Sequence, residues 1–417
     1  MRIVELFSGI GSQAKAFEKL NIDHEVLNTC EWDINAIVAY DLIHNGAKVH
    51  PNTENMSKKE LVEALRKYTL SSDGKVKMEY RTLQSLHVDS LRAIYSAILK
   101  THNLVNITEL KGKTLPSNID LMTYSFPCQD LSNVGAFHGY KKGIDRDANN
   151  RSGLLWEVER ILKERKELNL DLPKFLLLEN VSALLSKRHK RNFEEWQQIL
   201  NDLGYYNHIY CLNASDFGLP QNRYRLLMLS VLVENKSIEA ELEMYFKKYN
   251  LEDEAYRKTL DIPELDLAKY LRIDYNNPIY YGEAVECQPN DTESRRKIWE
   301  DNLKITDMNG NIMVDKVATL TTKQDRNPNS GNLYVNFNNG KSNFRYLTPR
   351  ECIMLMGFDE ADYESLVNNE VRMKKNCNLL TRDKIIRIAG NSIAVNVLEA
   401  IFTQVMEIKE LIENRNW

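Results

Sequence analysis

The first twenty residues constrain the fold most, because they place a short apolar strand, a glycine-containing turn and a helix in direct succession. The predicted strand, residues 2–7, is followed by Ser8-Gly9-Ile10-Gly11-Ser12 and then by a helical pattern over residues 13–20. This succession is typical of the first unit of a doubly wound α/β fold, in which glycines let a ligand approach the backbone near a helix N-terminus. The turn lacks a third glycine and is too short for a P-loop, so it does not identify a nucleotide site by itself.

Further apolar runs of strand length continue this pattern. Residues 24–30 predict a second strand that ends in Glu31-Trp32, and residues 104–107 are a candidate for a third. An acid after the second strand can hydrogen-bond a ribose, and an aromatic ring beside it can stack on a base. The alternative is an ordinary turn with a half-buried tryptophan.

A cysteine lies at the end of another predicted strand. The apolar run that begins at Ile119 stops at Pro127, and Cys128 follows immediately. Ligands and reacting groups of open α/β sheets collect just beyond the carboxyl ends of the strands, so a thiol there suits a nucleophile, although most cysteines are small buried apolar residues. The polar, glycine-containing loop 129–150 that follows indicates either a mobile lid or a surface loop.

Two more chemical features lie further along the chain. Glu179 follows a predicted buried strand, residues 173–178, whose last four residues are apolar, and burial there should raise its pKa and make it a competent acid. Arg223 and Arg225 fall on one side of the chain if their segment is extended, which gives either a pair of guanidinium groups facing a substrate or a surface pair that holds carboxylates.

Composition limits the class of protein. The chain has 417 residues, enough for about two or three domains, and carries a formal net charge of −4. It contains no apolar run near the ~20 residues of a membrane span and no export signal, so we expect a cytoplasmic protein with no membrane contact. Its six cysteines are scattered without CxxC spacing, which argues against a zinc site and favours reduced thiols. Any nucleic-acid surface must be local, because the net charge gives no global signal.

Taken together and in this order, these motifs resemble the cytosine-5 DNA methyltransferases. Any one motif is common, but their order and spacing are specific, and the resemblance covers residues 4 to about 398. Residues 124–131 and 151–157 also look like those of short bacterial enzymes that modify CG sites. The matching segments are residues 6–12, Glu31-Trp32, residues 126–129, Glu179-Asn180-Val181, residues 221–225, residues 345–351 and Gly390-Asn391-Ser392.

The resemblance implies a reaction. Cys128 would attack C6 of a flipped-out cytosine in duplex DNA, and Glu179 would assist at N3. Arg225 would hold the cytosine O2, with Arg223 beside it, and the methyl group of S-adenosylmethionine would pass to C5. The loop 129–150 would close over the DNA after extrusion of the base.

The resemblance also implies two sets of binding residues. Glu31 would hold the ribose hydroxyls of the cofactor and Trp32 would lie against its adenine. The full cofactor set is Phe7, Gly9, Ile10, Gly11, Glu31, Trp32, Asn106, Ile107, Pro127, Leu154, Asn391 and Ser392, and the expected DNA-binding residues are Gln129, Ser132, Arg151, Gln221, Thr319 and Leu320.

The expected organisation is a doubly wound, Rossmann-like α/β domain that binds S-adenosylmethionine, plus a smaller, loop-rich target-recognition domain. The sequence pattern changes near residue 234. This change predicts a catalytic and cofactor-binding domain at 1–233 and a target-recognition domain at 234–344. Residues 345–384 would connect to a C-terminal segment, 385–417, that packs back on the catalytic domain. Thr348 and Pro349 are placed to begin a helix as N-cap and first residue.

Three departures from the family pattern stand out. Glu5 and Ser12 replace an aspartate and a second glycine, and Asn106 replaces an aspartate at the adenine contact, which bears on cofactor affinity. The long segment 51–103 has no assigned role.

Alternatives remain at this point. The same chemistry on tRNA is one, although the chain lacks the Cys-Phe-Thr segment of that branch. A nicotinamide-dependent oxidoreductase would explain the first turn and Glu31 but not Cys128 or Glu179, and a DNA-binding protein with a decayed site would not need every catalytic position intact. The favoured interpretation is a monomer on duplex DNA, either an orphan enzyme or the companion of a restriction endonuclease.

Overall fold

A six-stranded sheet forms the centre of the molecule. The computed structural model describes residues 1–127, 144, 146, 151–233, 236–325 and 330–414, without the side chains of 151, 152, 236 and 237. The strands are β1 Arg2–Leu6, β2 Glu25–Cys30, β3 Leu121–Tyr124, β4 Phe175–Asn180, β5 Tyr205–Asn213 and β6 Tyr224–Leu232.

Sheet topology brings five strand ends to one edge. The order is β2-β1-β3-β4-β6-β5. Neighbours are parallel except β6, which runs antiparallel to both β4 and β5. The carboxyl ends of β1 to β5 therefore lie at the same edge as the amino end of β6, and this edge carries the candidate site.

Helices cover both faces of the sheet. They are α1 Ser12–Lys19, α2 Ile34–His44, α3 Pro51–Glu54, α4 Lys58–Leu65, α5 Tyr80–Ser85, α6 Val88–Lys100, α7 Leu155–Glu167, α8 Lys190–Leu203, α9 Lys236–Lys248, α10 Glu254–Arg257, α11 Pro278–Glu286, α12 Glu293–Asp301, α13 Pro349–Met354, α14 Glu360–Asn368, α15 Arg382–Asn391 and α16 Val395–Glu413. Short strands β7 Leu333–Tyr334, β8 Phe344–Arg345, β9 Arg372–Lys374 and β10 Cys377–Asn378 form two small hairpins.

Alternate residues of the central strands enter two separate cores. Phe175 and Leu177 of β4 pack in the core shared with α1, α2 and α16. Leu176 and Leu178 pack in the core shared with α7 and α8. A strand buried on both faces reads as a continuous apolar run, which is why the sequence pattern is informative here. The predicted doubly wound α/β fold is confirmed.

The β1–α1 unit has the predicted order, and Glu5 has a local task in it. The α1 helix begins after Gly11, which has no side chain to cap it. The Glu5 carboxylate, fully buried on β1, accepts a hydrogen bond of 3.0 Å from the backbone N–H of Ala14 in the first turn. Burial raises the pKa of Glu5 to about 7. Glu5 thus supplies from the neighbouring strand the cap that the helix lacks.

The predicted strand over 104–107 is wrong. Val105 has a φ of 61°, and its N–H is bound by the Asn103 side chain at 2.8 Å. A left-handed β-branched residue interrupts an extended chain. The segment instead forms a turn beside β2, where the Leu104 N–H donates to the Thr29 carbonyl.

The segment 51–103 is a helical layer beside β2. Its longest helices are α4 and α6. The α6 helix packs against α2 and α4. His87 and Ser90 donate to the backbone carbonyls of Met373 and Arg372, so this layer also supports the β9–β10 hairpin.

The C-terminal helices return to the first unit. Phe402 of α16 stacks on Phe17 of α1 with ring centroids 4.2 Å apart. Within the described residues, the stretch Arg382–Glu413 is the one long and apolar enough to cross a membrane, and 67% of its most apolar window is buried inside the protein. This burial is that of a core helix pair, α15 and α16.

The α9 helix packs on the sheet. Phe246 stacks on His208 of β5 at 4.1 Å, and Tyr245 donates to Glu407 of α16. A boundary at residue 234 would separate α9 from these partners, so we infer that the smaller region begins after α9.

Thr348 and Pro349 begin α13 as predicted, with a capping box between Thr348 and Glu351.

Candidate active site at the carboxyl edge of the sheet

Glu179 and Arg225 form a buried ion pair at this edge. Glu179 is the fifth residue of β4, and its Oε1 lies 3.1 Å from Nε of Arg225 on β6. Burial raises the pKa of Glu179, and the nearby charges of Arg225 and Arg223 partly oppose the shift. A raised pKa favours the protonated form of the carboxyl group, which is the form that can donate a proton to a substrate.

Asn180 joins this pair to the end of β3. Its Nδ2 donates to the carbonyl of Phe126 at 3.0 Å, and its Oδ1 accepts the Val181 N–H at 2.9 Å. The turn after Glu179 is therefore tied to the residue before Pro127. The sequence motif contained Asn180, but nothing in the local sequence indicates that it bonds to the neighbouring strand.

Cys128, Gln129 and Ser132 lie outside the described residues, as does the loop 129–150 except Ile144 and Arg146.

Arg223 and Arg225 have different surroundings. Arg223 is 2% exposed, and its Nη atoms donate to the carbonyls of Leu320, Gly390 and Ser392 at 2.7–3.1 Å. Arg225 instead reaches Glu179. The prediction that both guanidinium groups face the substrate is thus corrected: Arg223 is engaged in joining three segments of the protein.

Gln221 belongs to the same junction. It is fully buried, its Nε2 donates to the Leu355 carbonyl at 2.8 Å, and its Oε1 accepts the Leu320 N–H at 2.9 Å. The Thr319 hydroxyl donates to the Asn222 carbonyl at 2.6 Å. The predicted DNA contacts of the Gln221 and Leu320 side chains are wrong for this structure, because both are buried, Leu320 at 2% exposure. Arg151 begins the 3-10 helix Arg151–Leu154, and its side chain is outside the described part.

The turn after β1 leaves its backbone open to a ligand at one glycine. Phe7, Gly9 and Gly11 have φ of 58°, 55° and 79°. A Cβ built on Gly9 would meet no heavy atom within 4 Å, whereas one on Gly11 would lie 2.3 Å from Nε2 of His44. Ile10 is 1% exposed, so only its backbone can face a ligand.

Glu31 lies beside Gly9 at the end of β2. Its carboxylate accepts the backbone N–H groups of Gly9, Trp32 and Asp33 at 3.2, 2.9 and 2.8 Å. Burial and the neighbouring Asp33 charge raise the pKa of Glu31 to about 7, against the effect of these hydrogen bonds. Asn103, which sequence analysis did not select, holds Glu31 through two backbone hydrogen bonds of 3.0 Å.

The other predicted cofactor residues differ in placement. Asn106 binds Glu109 and Thr108 within its own turn, so its side chain is occupied, and Ile107 is buried at 4% exposure. Ser392 donates to Ile388 at 2.8 Å. Trp32, Pro127 and Leu154 are half-buried, and Asn391 is exposed at the end of α15.

The family model for the C-5 cytosine-specific DNA methylase matches residues 82–407. The chain belongs to this family. It is a DNA cytosine methyltransferase that uses S-adenosylmethionine as methyl donor, and the oxidoreductase alternative is thereby removed.

Relatives of this methylase match it over nearly the whole chain. Orphan methyltransferase M.SssI of Spiroplasma monobiae is 35% identical over 97% of each chain. Type II methyltransferase M2.ScrFI of Lactococcus lactis subsp. cremoris is 30% identical over 98% of this chain and 99% of its own.

Solved structures support the fold of the methylase. The Dnmt2 methyltransferase of S. pombe has a TM-score of 0.56 at 19% identity and covers 98% of both chains. The Entamoeba histolytica methyltransferase EhMeth has a TM-score of 0.52 at 15% identity, again over 98% of both chains. At such identities the likeness establishes the architecture alone.

The residues present fit the methyl donor of this methylase. Gly9 offers open space beside its backbone, and the half-buried Glu31 carboxylate adjoins it. Glu31 can accept hydrogen bonds from two ribose hydroxyls when ionised. Trp32, the next residue, offers a ring for the adenine.

Proposed function

We propose that this methylase works through a covalent bond between Cys128 and C6 of a cytosine flipped out of a specific duplex DNA sequence. Cytosine C5 is a poor nucleophile, and addition of a thiolate at C6 makes it reactive. The observation that carries the proposal is the Glu179–Arg225 pair, tied through Asn180 to Phe126, two residues before Cys128.

Each bond change has a group to assist it. The Cys128 thiolate forms the S–C6 bond while Glu179 protonates or hydrogen-bonds N3, which neutralises charge that develops in the ring. S-adenosylmethionine, when bound, supplies the methyl group for C5. A base then removes the C5 proton, the C5–C6 double bond returns, and the S–C6 bond breaks with Cys128 as leaving group.

Arg225 has two parts in this proposal. Its guanidinium lies 3.1 Å from Glu179 and keeps that carboxyl oriented. The remaining donors can bind the cytosine O2, because guanidinium carries five N–H groups and Nε alone accounts for the pair. Both cytosine contacts then come from the edge formed by β4 and β6.

Extrusion of the base costs a few kcal/mol, which pocket hydrogen bonds and stacking offset. Gln129, Ser132, Arg151 and Thr319 are our candidates for contacts to the DNA. Gln221 and Leu320 act differently in this proposal: they fix the Thr319 segment against the catalytic sheet.

The cellular context is also part of the proposal. The names of the relatives favour either an orphan enzyme or the modification partner of a type II restriction endonuclease. We propose a cytoplasmic monomer, because one chain supplies all the residues of the site. Light scattering of the DNA-bound enzyme should give one chain per duplex, and a two-chain complex would contradict this.

Transfer of labelled methyl groups to unmethylated duplex DNA, with the product mapped by bisulfite sequencing, tests the function. We expect label at C5 of cytosines in one short sequence. Glu179→Gln should lower kcat by about 10²–10⁴-fold while the fold is retained, because it removes the acid but preserves the side-chain shape. Transfer to tRNA but not to DNA, or full activity of the Glu179→Gln variant, would contradict the proposal.

A further inference from the structure

Residues 187–191, shortly after Glu179 in the chain, contain four exposed cations. Lys187, Arg188, Lys190 and Arg191 are all exposed, whereas His189 between them is buried. We call residues 187–191 the basic turn. It begins directly after the 3-10 helix Ser182–Leu185 and Ser186, in a chain whose formal net charge is −4. The positive charge is therefore concentrated locally.

Within the part of the chain that the structure describes, few carboxylates neutralise this charge. The α8 helix starts at Lys190 and has no acidic residue in its first turn. Lys190 lies 3.6 Å from Glu194, an exposed pair, and among the described residues no carboxylate lies within ion-pair distance of Lys187, Arg188 or Arg191. Cations at the positive end of a helix repel its dipole, so this arrangement disfavours the isolated fold.

The basic turn lies near the end of β4 that carries Glu179, since only the 3-10 helix Ser182–Leu185 and Ser186 separate it from the turn after that strand. The 3-10 helix before it contacts both β6 and α8. Tyr224, the first residue of β6, is 52% exposed, and Leu185, the last residue of the 3-10 helix, is 44% exposed. The basic turn thus follows an exposed segment that contacts the strand carrying Arg225.

We propose that the basic turn binds the backbone phosphates of the substrate duplex next to the flipped cytosine. This contact is independent of sequence and lies outside the recognition region, by which we mean the proposed target-recognition domain that begins after α9. This rests on the proposed function, because the substrate is duplex DNA. Exposed Lys and Arg without carboxylate partners are the groups that neutralise phosphates. The contact would hold the duplex near Glu179 while the recognition region selects the sequence.

A fourfold Gln substitution at Lys187, Arg188, Lys190 and Arg191 tests the inference. The matched control carries Gln at Lys58, Lys59, Arg66 and Arg81, four exposed cations of the same types in the helical layer. KM for a 40-base-pair duplex and the salt dependence of binding are measured for the wild type and both variants. A charge-retaining exchange of Lys and Arg within the basic turn serves as the rescue.

We expect the basic-turn variant to raise the KM for DNA about tenfold or more at 0.1 M salt. The slope of log K against log salt should fall by about 0.9 for each phosphate that the variant no longer neutralises. The KM for S-adenosylmethionine should stay at the wild-type value and the melting temperature should not fall, and the control and rescue should bind DNA normally. An unchanged slope, or an equal weakening of binding in the control, would overturn the inference. Absence of methyl transfer by the wild type would instead overturn the proposed function.

Discussion

At the scale of single residues, two arginines separated by one position have different tasks. Arg225 pairs with Glu179 where the cytosine would bind. Arg223 donates to carbonyls of three residues that are far from it in sequence, and it is almost fully buried. Their spacing is that of an extended pair, so sequence alone predicts a shared face but not which partner each side chain meets.

Substitution of each arginine by Ala should separate these tasks. Arg223→Ala leaves three buried carbonyls without a donor, so we expect the free energy of unfolding to fall by about 2–4 kcal/mol. Arg225→Ala removes one partner of a buried ion pair, so it should also lower the free energy of unfolding, but it should in addition lower kcat by about 10²-fold or more because it removes a donor to the reacting base. Urea unfolding and single-turnover methylation under conditions where both variants are folded measure the two effects. An unchanged single-turnover rate in Arg225→Ala would refute the division.

Glu31 is the second residue whose environment makes a sharp prediction. Its pKa is raised to about 7, so near neutral pH a large fraction of the free protein carries a protonated Glu31. The ionised carboxylate accepts hydrogen bonds from the ribose hydroxyls more strongly than the protonated acid does. Binding of S-adenosylmethionine should therefore strengthen as pH rises.

Equilibrium titration with S-adenosylmethionine between pH 6 and pH 8 checks this. We expect Kd to fall by up to about tenfold across this window in the wild type, since binding favours the ionised form. Glu31→Gln should bind more weakly and show little pH dependence. Glu5→Gln is the matched control, because Glu5 also has a pKa of about 7 but its carboxylate faces the first turn of α1. A pH dependence that disappears in the Glu5 variant and survives in the Glu31 variant would reverse the assignment.

At the scale of elements, the region after α9 meets the C-terminal helix pair in a close backbone contact near the sheet. A Cβ built on Gly390, at the end of α15, would lie 2.5 Å from the backbone of Thr321. Only glycine permits this approach, and it brings the Gly390 carbonyl to Arg223. The junction sets where Thr319 lies relative to the site.

Gly390→Ala should therefore disturb the junction. The added methyl group meets backbone atoms, which cannot move aside freely, so we expect the free energy of unfolding to fall by about 1–3 kcal/mol and the KM for DNA to rise. Gly282→Ala is the control, since Gly282 lies within α11 with no atom within 4 Å of a Cβ, and Ala there should stabilise by about 0.5–1 kcal/mol. Thermal and urea unfolding measure the stability of both variants. Equal stability of Gly390→Ala and Gly282→Ala would contradict the close contact.

Sequence patterns predicted the elements that depend on local periodicity. The β1–α1 unit, the twice-buried β4 and the capped start of α13 are all present. The strand at 104–107 failed because one left-handed residue, Val105, breaks an otherwise apolar run. The packing of α9 on β5 and the burial of Gln221 depend on contacts between distant segments, for which the sequence has no local signal.

At the scale of the whole molecule, the chemistry is assembled from strand ends that topology brings together. Residues from β4 and β6 form the ion pair, and the turns after β1 and β2 meet where Gly9 donates to Glu31. The family assignment fixes the reaction as methyl transfer to cytosine C5. The central proposal is a covalent route through Cys128, which follows in sequence the segment that Asn180 holds at Phe126.

Covalent trapping tests this claim most directly. A duplex that carries 5-fluorocytosine at the target position is incubated with S-adenosylmethionine and the wild-type enzyme, and the product is analysed on a denaturing gel and by peptide mass mapping. Fluorine replaces the proton that must leave C5, so the S–C6 bond should not break. We predict an adduct that survives denaturation, maps to Cys128 and is absent in Cys128→Ala. Methylation of ordinary duplex DNA by the wild type without any adduct on the fluorinated duplex, or an adduct formed by the Ala variant, would contradict the covalent route.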